Sequence, residues 1–169
     1  NVLLVHEQLF VSEQRSEWYE EAPMWAKSIN KRRMKALLDG GFTVFRYHSN
    51  WDAYPVHGVS DSFGRALGLT QEVARGAYTR TYRVDPVPLG DLTQTVREAM
   101  GIGAVRLFGD PNRVIERVGT MIGGFGGNQF NMPEELLEQR AEVIVLADMN
   151  EYTALNALEI GLAVIETLH

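Results

Sequence analysis

The sequence predicts an α/β fold in which mixed or parallel sheets are flanked by helices and a metal site lies at strand carboxyl ends. Three observations carry this. Short apolar runs alternate with amphipathic stretches, as in α/β layers. The amphipathic stretches begin and end on helix-boundary residues. Several apolar runs are followed at once by His, Asp or Glu.

Five runs read as strands: Val2 to Val5, Thr43 to Tyr47, Val105 to Phe108, Val118 to Ile122 and Val143 to Ala147. A sixth, Leu162 to Glu166, alternates but includes Ala and Leu. The first helix begins near Pro23, carries Met34, Leu37 and Leu38 on one face and stops at Gly40-Gly41. Ser60 or Asp61 caps a second, which ends near Gly68, and Asp91 opens a third, which ends at Met100-Gly101. Pro133-Glu134-Glu135 opens a fourth, and Glu151 to Leu158 forms a fifth ahead of Gly161. Residues 11 to 22, polar and aromatic without period, read as a long loop, and no repeat or heptad is present.

At 169 residues and roughly 150 residues per domain, residues 1–169 read as one domain. The sequence opens on Asn1 and goes straight into an apolar run, and it closes on Leu168-His169. It therefore reads as cut at both ends. Hydrophobic residues at 45% and charged residues at 22% are ordinary globular values, which excludes a disordered chain. Sixteen Lys+Arg against 22 Asp+Glu give a net charge of −6, so nucleic acid is not an expected partner. No apolar run approaches the ~20 residues that span a bilayer, so no membrane partner is expected. Cysteine is absent, which removes disulfides, thiolate metal sites and cysteine nucleophiles and fits a cytoplasmic protein.

The chemistry gathers where runs end. Val2 to Val5 leads into His6-Glu7, and Thr43 to Tyr47 leads into His48 and Asp52. Val143 to Ala147 leads into Asp148 and Glu151, and the last run into Glu166 and His169. In α/β sheets the ligand crevice lies outside the carboxyl ends of the strands. If these strands run parallel, they deliver an N/O ligand set suited to Zn, Mn or Fe. Each residue also has an ordinary reading: His6-Glu7 as a surface pair, Asp52 as a turn residue, and His48 and His57 as solvated or loop-bracing groups. It is the coincidence of separate run ends that points to a site.

Other motifs are weaker. Gly123 to Asn128 follows a strand and could offer backbone N–H groups to an anion through Gly124 and Gly126, although a plain flexible turn explains it equally well. A Walker-type Gly-Lys-Ser/Thr triplet is absent, and Gly58 to Ser62 lacks the closing Gly of a nucleophile elbow. Lys27, Lys31 and Lys35 form an i, i+4 row that reads as a solvated helix face.

The string His6-Glu7-Gln8-Leu9-Phe10 resembles the HHPLIF or HEPTFY segment of the dinuclear metal-centre hexameric proteins, the NGG-interacting-factor-three-like family. Phe45 to Asp52 is similar to its HTNLD or RFHDHWD stretch, and Gly58 to Leu69 to GGVNDALAEALGL. Val105 to Pro111, Val118 to Gly127 and Ala157 to His169 are similar to VRVVGDP, VAVCGGSG and ALERGLALIEAGH. The match runs in order through essentially the whole sequence.

The resemblance implies two divalent metal ions, Zn, Mn or Fe, with His6 and Glu7 at the family's His-pair positions, Asp52 as the bridging carboxylate and His169 as the C-terminal imidazole. Glu7 replaces the commoner second His. The family's final Glu, four residues beyond His169, falls outside the sequence. Members are often labelled GTP cyclohydrolase type 2-like, which implies a metal-dependent hydrolase acting on a purine nucleotide or another small anionic ligand. His48 or Glu151 would then shuttle protons, and Gly124 and Gly126 would hold the anionic group. The resemblance also implies a homo-oligomer, a hexamer, and Trp18, Tyr19 and Trp25 are candidate interface aromatics. The alternative is a non-enzymatic oligomeric scaffold or regulatory partner in which the metals are structural.

Overall fold

A computed structural model describes residues 1–10, 27–122, 124–125 and 131–168. Pro23, the aromatic stretch 11–22, Trp25, Gly126 and His169 lie outside the described residues. Two compact units divide the chain, Asn1–Trp51 and Asp52–His169.

In the first unit, β1 (Val2–Val5) and β2 (Thr43–Arg46) pair in parallel, Val2 opposite Thr43 and Val5 opposite Arg46. Parallel strands need a crossover between them, and α1 (Ser28–Asp39) lies on that connection. The helix stops where expected, because Gly41 adopts φ +56 and the Phe42 N–H turns back to the Leu37 carbonyl at 3.0 Å. Val2, Leu4, Val44 and Phe45 remain exposed, so this small sheet buries little of itself. After β2 comes α2 (Ser49–Asp52), a single turn that the sequence pattern does not announce.

The second unit is a layered α/β body. It contains α3 (Val59–Ala66), β3 (Gln71–Arg75), β4 (Thr79–Pro88), α4 (Leu89–Ala99), β5 (Arg106–Phe108), β6 (Val114–Met121) and β7 (Gly124–Phe125). Then follow α5 (Asn131–Glu138), β8 (Val143–Leu146), β9 (Asp148–Met149), α6 (Glu151–Glu159) and β10 (Ala163–Glu166). Six strands form one sheet in the order β3-β4-β6-β8-β10-β5. The central β6, β8 and β10 are parallel, whereas β3, β4 and β5 join antiparallel, so the sheet is mixed.

Alternation along the strands sorts the core into two faces. Val143, Val145, Ala163 and Ile165 pack with Phe63 and Leu67 of α3 and Leu89, Leu92 and Val96 of α4. Ile144, Leu146 and Val164 pack with Leu136 of α5 and Ala157 of α6. Helices thus cover both faces, and strands buried on both sides read as continuous apolar runs.

The β3–β4 hairpin is absent from the sequence reading for a physical reason. Its segment is polar, with Thr79, Arg80 and Thr81 buried, and it contains Pro86 and Pro88. The register between β4 and β6 shifts between Arg83 and Val87, where Pro86 cannot donate to a ladder. The strand β6 begins at Val114, earlier than the expected Val118.

Candidate metal centre

Because β1 and β2 are parallel, their carboxyl ends lie at the same edge of their sheet, and each is followed by a histidine. His6 leaves β1 directly, and His48 follows β2 by two residues. The rings stand edge to face with centroids 4.6 Å apart. The boundary between the two units falls inside α2, so Asp52 is carried by the helical turn that starts beside His48. A spacing of four residues puts the two side chains on one side of that turn. His6, His48 and Asp52 each offer a ligand atom, and these atoms lie within 4.8 Å of one another.

Two imidazoles and a carboxylate fit a borderline divalent ion such as Zn, Mn or Fe. His6 Nδ1 donates to the Tyr47 carbonyl at 3.0 Å, which leaves Nε2 as the nitrogen with the lone pair, the usual outer-shell arrangement of a ligating imidazole. His48 is set differently. Arg46 Nη2 stands 2.6 Å from its Nδ1, and Arg46 Nε donates to the His6 carbonyl at 3.2 Å. A guanidinium only donates, so Nδ1 accepts and the ring carries its proton on Nε2. That nitrogen is 3.5 Å from Glu7 Oε1. Coordination by His48 therefore requires either release of Arg46 or transfer of the ring proton. Tyr47 packs on Trp51 with ring centroids at 5.5 Å and braces the turn that bears Asp52.

The chain beyond Asp52 is clamped from α3. Ser60 Oγ donates to the Asp52 carbonyl at 3.1 Å. Val56 adopts φ +69, a costly conformation for a β-branched residue. Its N–H donates to Asp61 Oδ2 at 2.6 Å, and its carbonyl accepts from Arg65 Nη1. Asp61 in turn takes the buried Arg80 Nε at 2.7 Å. Burial pushes the Asp61 carboxyl up, but the hydrogen bonds from Arg80 and the Val56 N–H, with the charges of Arg80 and Arg75, outweigh it and hold the group below its ordinary value.

The remaining expected residues fall as follows. Glu7 is exposed and stands against His48. Glu151 opens α6, and Gly124 lies in β7 opposite Asp148 of β9. Glu166, the last residue of β10, is fully buried. Its Oε1 accepts from the Met149 N–H at 3.0 Å, and its Oε2 lies 2.5 Å from Arg106 Nη2. Sequence reasoning missed Arg46, although its position two residues from His48 was a usable signal. It also missed Arg80 and Arg106, whose carboxylate partners come from distant segments and left no local signal.

Fold and site together define an α/β protein with a His/Asp group suited to a divalent metal at strand carboxyl ends. The chain belongs to the Duf34/NIF3 (NGG1p interacting factor 3) family, whose sequence profile matches residues 16–169. It is 26% identical over 155 residues to a Lactococcus lactis protein named GTP cyclohydrolase 1 type 2 homolog, covering 87% of this chain and 59% of that protein. A Pseudomonas aeruginosa protein of the same name is 25% identical over 175 residues, covering 100% of this chain and 64% of that protein. The chain thus spans less than two thirds of the length of these relatives. A Bacillus cereus protein described as related to NIF3 has the same fold, with a TM-score of 0.72 at 14% identity over 99% of this chain and 72% of that one. Among the described residues no helix is long and apolar enough to cross a membrane.

Proposed function

We propose that the protein holds a dinuclear divalent-metal centre and acts as a metal-dependent hydrolase of the GTP cyclohydrolase type 2 kind, with a purine nucleotide as substrate. The observation that supports this reading is the gathering of His6 and Asp52, with His48 beside them, so that their candidate ligand atoms lie within 4.8 Å of one another. The names of the two curated relatives supply the reaction class. In the proposed site His6 and Asp52 would hold the metals, and Glu7 and His169 would complete the set. Bound metals would supply Lewis acidity toward water and toward the charge that develops on the substrate.

The chain's own groups handle the proton. His48 is proposed to pass a proton between solvent and the site, a reading supported by its contacts, with Nδ1 accepting from Arg46 and Nε2 facing Glu7 at 3.5 Å. Glu151 is the second candidate shuttle, and Gly124 and Gly126 are proposed to hold the anionic group of the substrate by backbone N–H. The proposed assembly is a homo-hexamer.

The experiment compares GTP turnover by metal-loaded, metal-stripped and metal-loaded Asp52→Ala protein. Hydrolysis by the loaded protein alone is the expected result. Equal turnover by Asp52→Ala assigns the activity to a contaminant. Metal binding without turnover by any preparation leaves the scaffold reading, in which the metals are structural.

A further inference from the structure

Two of the arginine–carboxylate pairs in the second unit are built in opposite ways. Arg80 is buried, and its donors are spent inside the protein: Nε on Asp61, and Nη1 on the carbonyls of Gly76 at 2.8 Å and Thr79 at 2.7 Å. That pair is structural. Arg106 is the reverse case. Its side chain is 55% exposed although its partner Glu166 is fully buried, and the two are directly opposite each other in the β5–β10 register. Among the described residues, Nη2 on Glu166 is its one polar contact, with the guanidinium carbon 6.0 Å from the Phe108 ring.

The exposed side of Arg106 lines a cavity of about 390 Å³, with Phe108, Glu151, Leu155, Leu158 and Glu166 among its walls. The cavity lies where β8 and β10 end, the edge at which α/β sheets take ligands. We propose that this cavity is a binding site for a small organic anion, a carboxylate or phosphate monoester on an apolar body, with Arg106 as its receptor. The buried Glu166 carboxylate keeps the guanidinium at the cavity wall as an ion pair, without a directed hydrogen bond to Oε2, and planar guanidinium donors match carboxylate and phosphate oxygens. Phe108, Leu155 and Leu158 receive the apolar body. Glu151 disfavours a second negative charge, which restricts the ligand to one anionic group. This site needs no metal and survives the failure of the metal reading, although Glu151, the second candidate shuttle of that reading, is one of its walls.

The test titrates the full chain with benzoate, with phenyl phosphate and with benzylamine, followed by NMR chemical shifts. Both anions, or one of them, are expected to shift the amides of Phe108 and Leu155, and benzylamine to leave them unmoved; which anion binds identifies the head group. Arg106→Lys keeps the charge but loses the fork and is expected to weaken binding about tenfold or more. Leu155→Trp fills the cavity while leaving the ion pair intact and is expected to abolish binding. The proposal is overturned if neither anion shifts these amides, if benzylamine shifts them equally, or if Leu155→Trp binds as the natural protein does.

Discussion

The two units use their residues in opposite ways. In Asn1–Trp51 the strand side chains stay largely exposed, and the groups that define the site, His6, His48 and Arg46, are tied to one another and to backbone carbonyls. In Asp52–His169 two apolar clusters fill both faces of a six-stranded sheet, and even an arginine and two carboxylates are buried. A two-stranded sheet is marginal by itself in water, so the second unit carries the stability. The first unit instead presents imidazoles at an accessible edge, which is what ligand exchange requires. Asp52 belongs to both accounts, because a helical turn ties it to His48 and Ser60 ties its carbonyl to α3.

The largest effect that would break this contrast lies at Arg80. Removing it leaves Asp61 buried without its partner, and Arg80→Ala is expected to cost about 3–5 kcal/mol in chemical denaturation. Asp61 adds a pH signature. Its folded pKa is depressed, so its contribution is present above the unfolded value of about 3.9 and is lost as pH falls through the folded one. Asp61→Asn is therefore expected to lower stability at neutral pH and to flatten the loss of stability below about pH 4, read from denaturation midpoints in acid.

In the core, Ile165→Val is expected to cost about 1 kcal/mol, since a methyl group leaves a site with no solvent access. The smallest effect belongs to the first unit. Phe45 is 56% exposed, and Phe45→Ala is expected to change global stability by no more than about 0.5 kcal/mol. A larger loss there than at Ile165 would reverse the assignment of stability to the second unit.

The same contrast explains what could be read from the sequence. Elements buried on both faces, such as Val143–Leu146, announce themselves because burial demands an unbroken apolar run. The helix boundaries at Gly40-Gly41 and Gly161 were legible from local capping chemistry, whereas the Asn150 cap of α6, whose side chain accepts from the Thr153 N–H at 2.9 Å, was not singled out. The β3–β4 hairpin was not, because its buried positions are polar and are satisfied by partners far away in sequence, as Arg80 is by Asp61. At the site, His6 and Asp52 were readable as strand-end ligands, and their spacing predicted nothing about Arg46. His48 belongs to the same run-end N/O set, and the resemblance gives it the proton-carrying role. Its place beside His6 and Asp52 arises from the parallel pairing of β1 with β2, a tertiary fact that neither segment contains alone.

The metal group itself is tested most directly by elemental analysis of the full chain prepared without chelator, followed by Mn and Zn titration of the natural protein, Asp52→Ala and Glu7→Ala in parallel. The account predicts one or two divalent ions per chain in the natural protein, a near-complete loss in Asp52→Ala and a partial loss in Glu7→Ala. No metal above background in the natural protein, together with no uptake on titration, would contradict it, and a greater loss in Glu7→Ala than in Asp52→Ala would remove Asp52 from the bridging position.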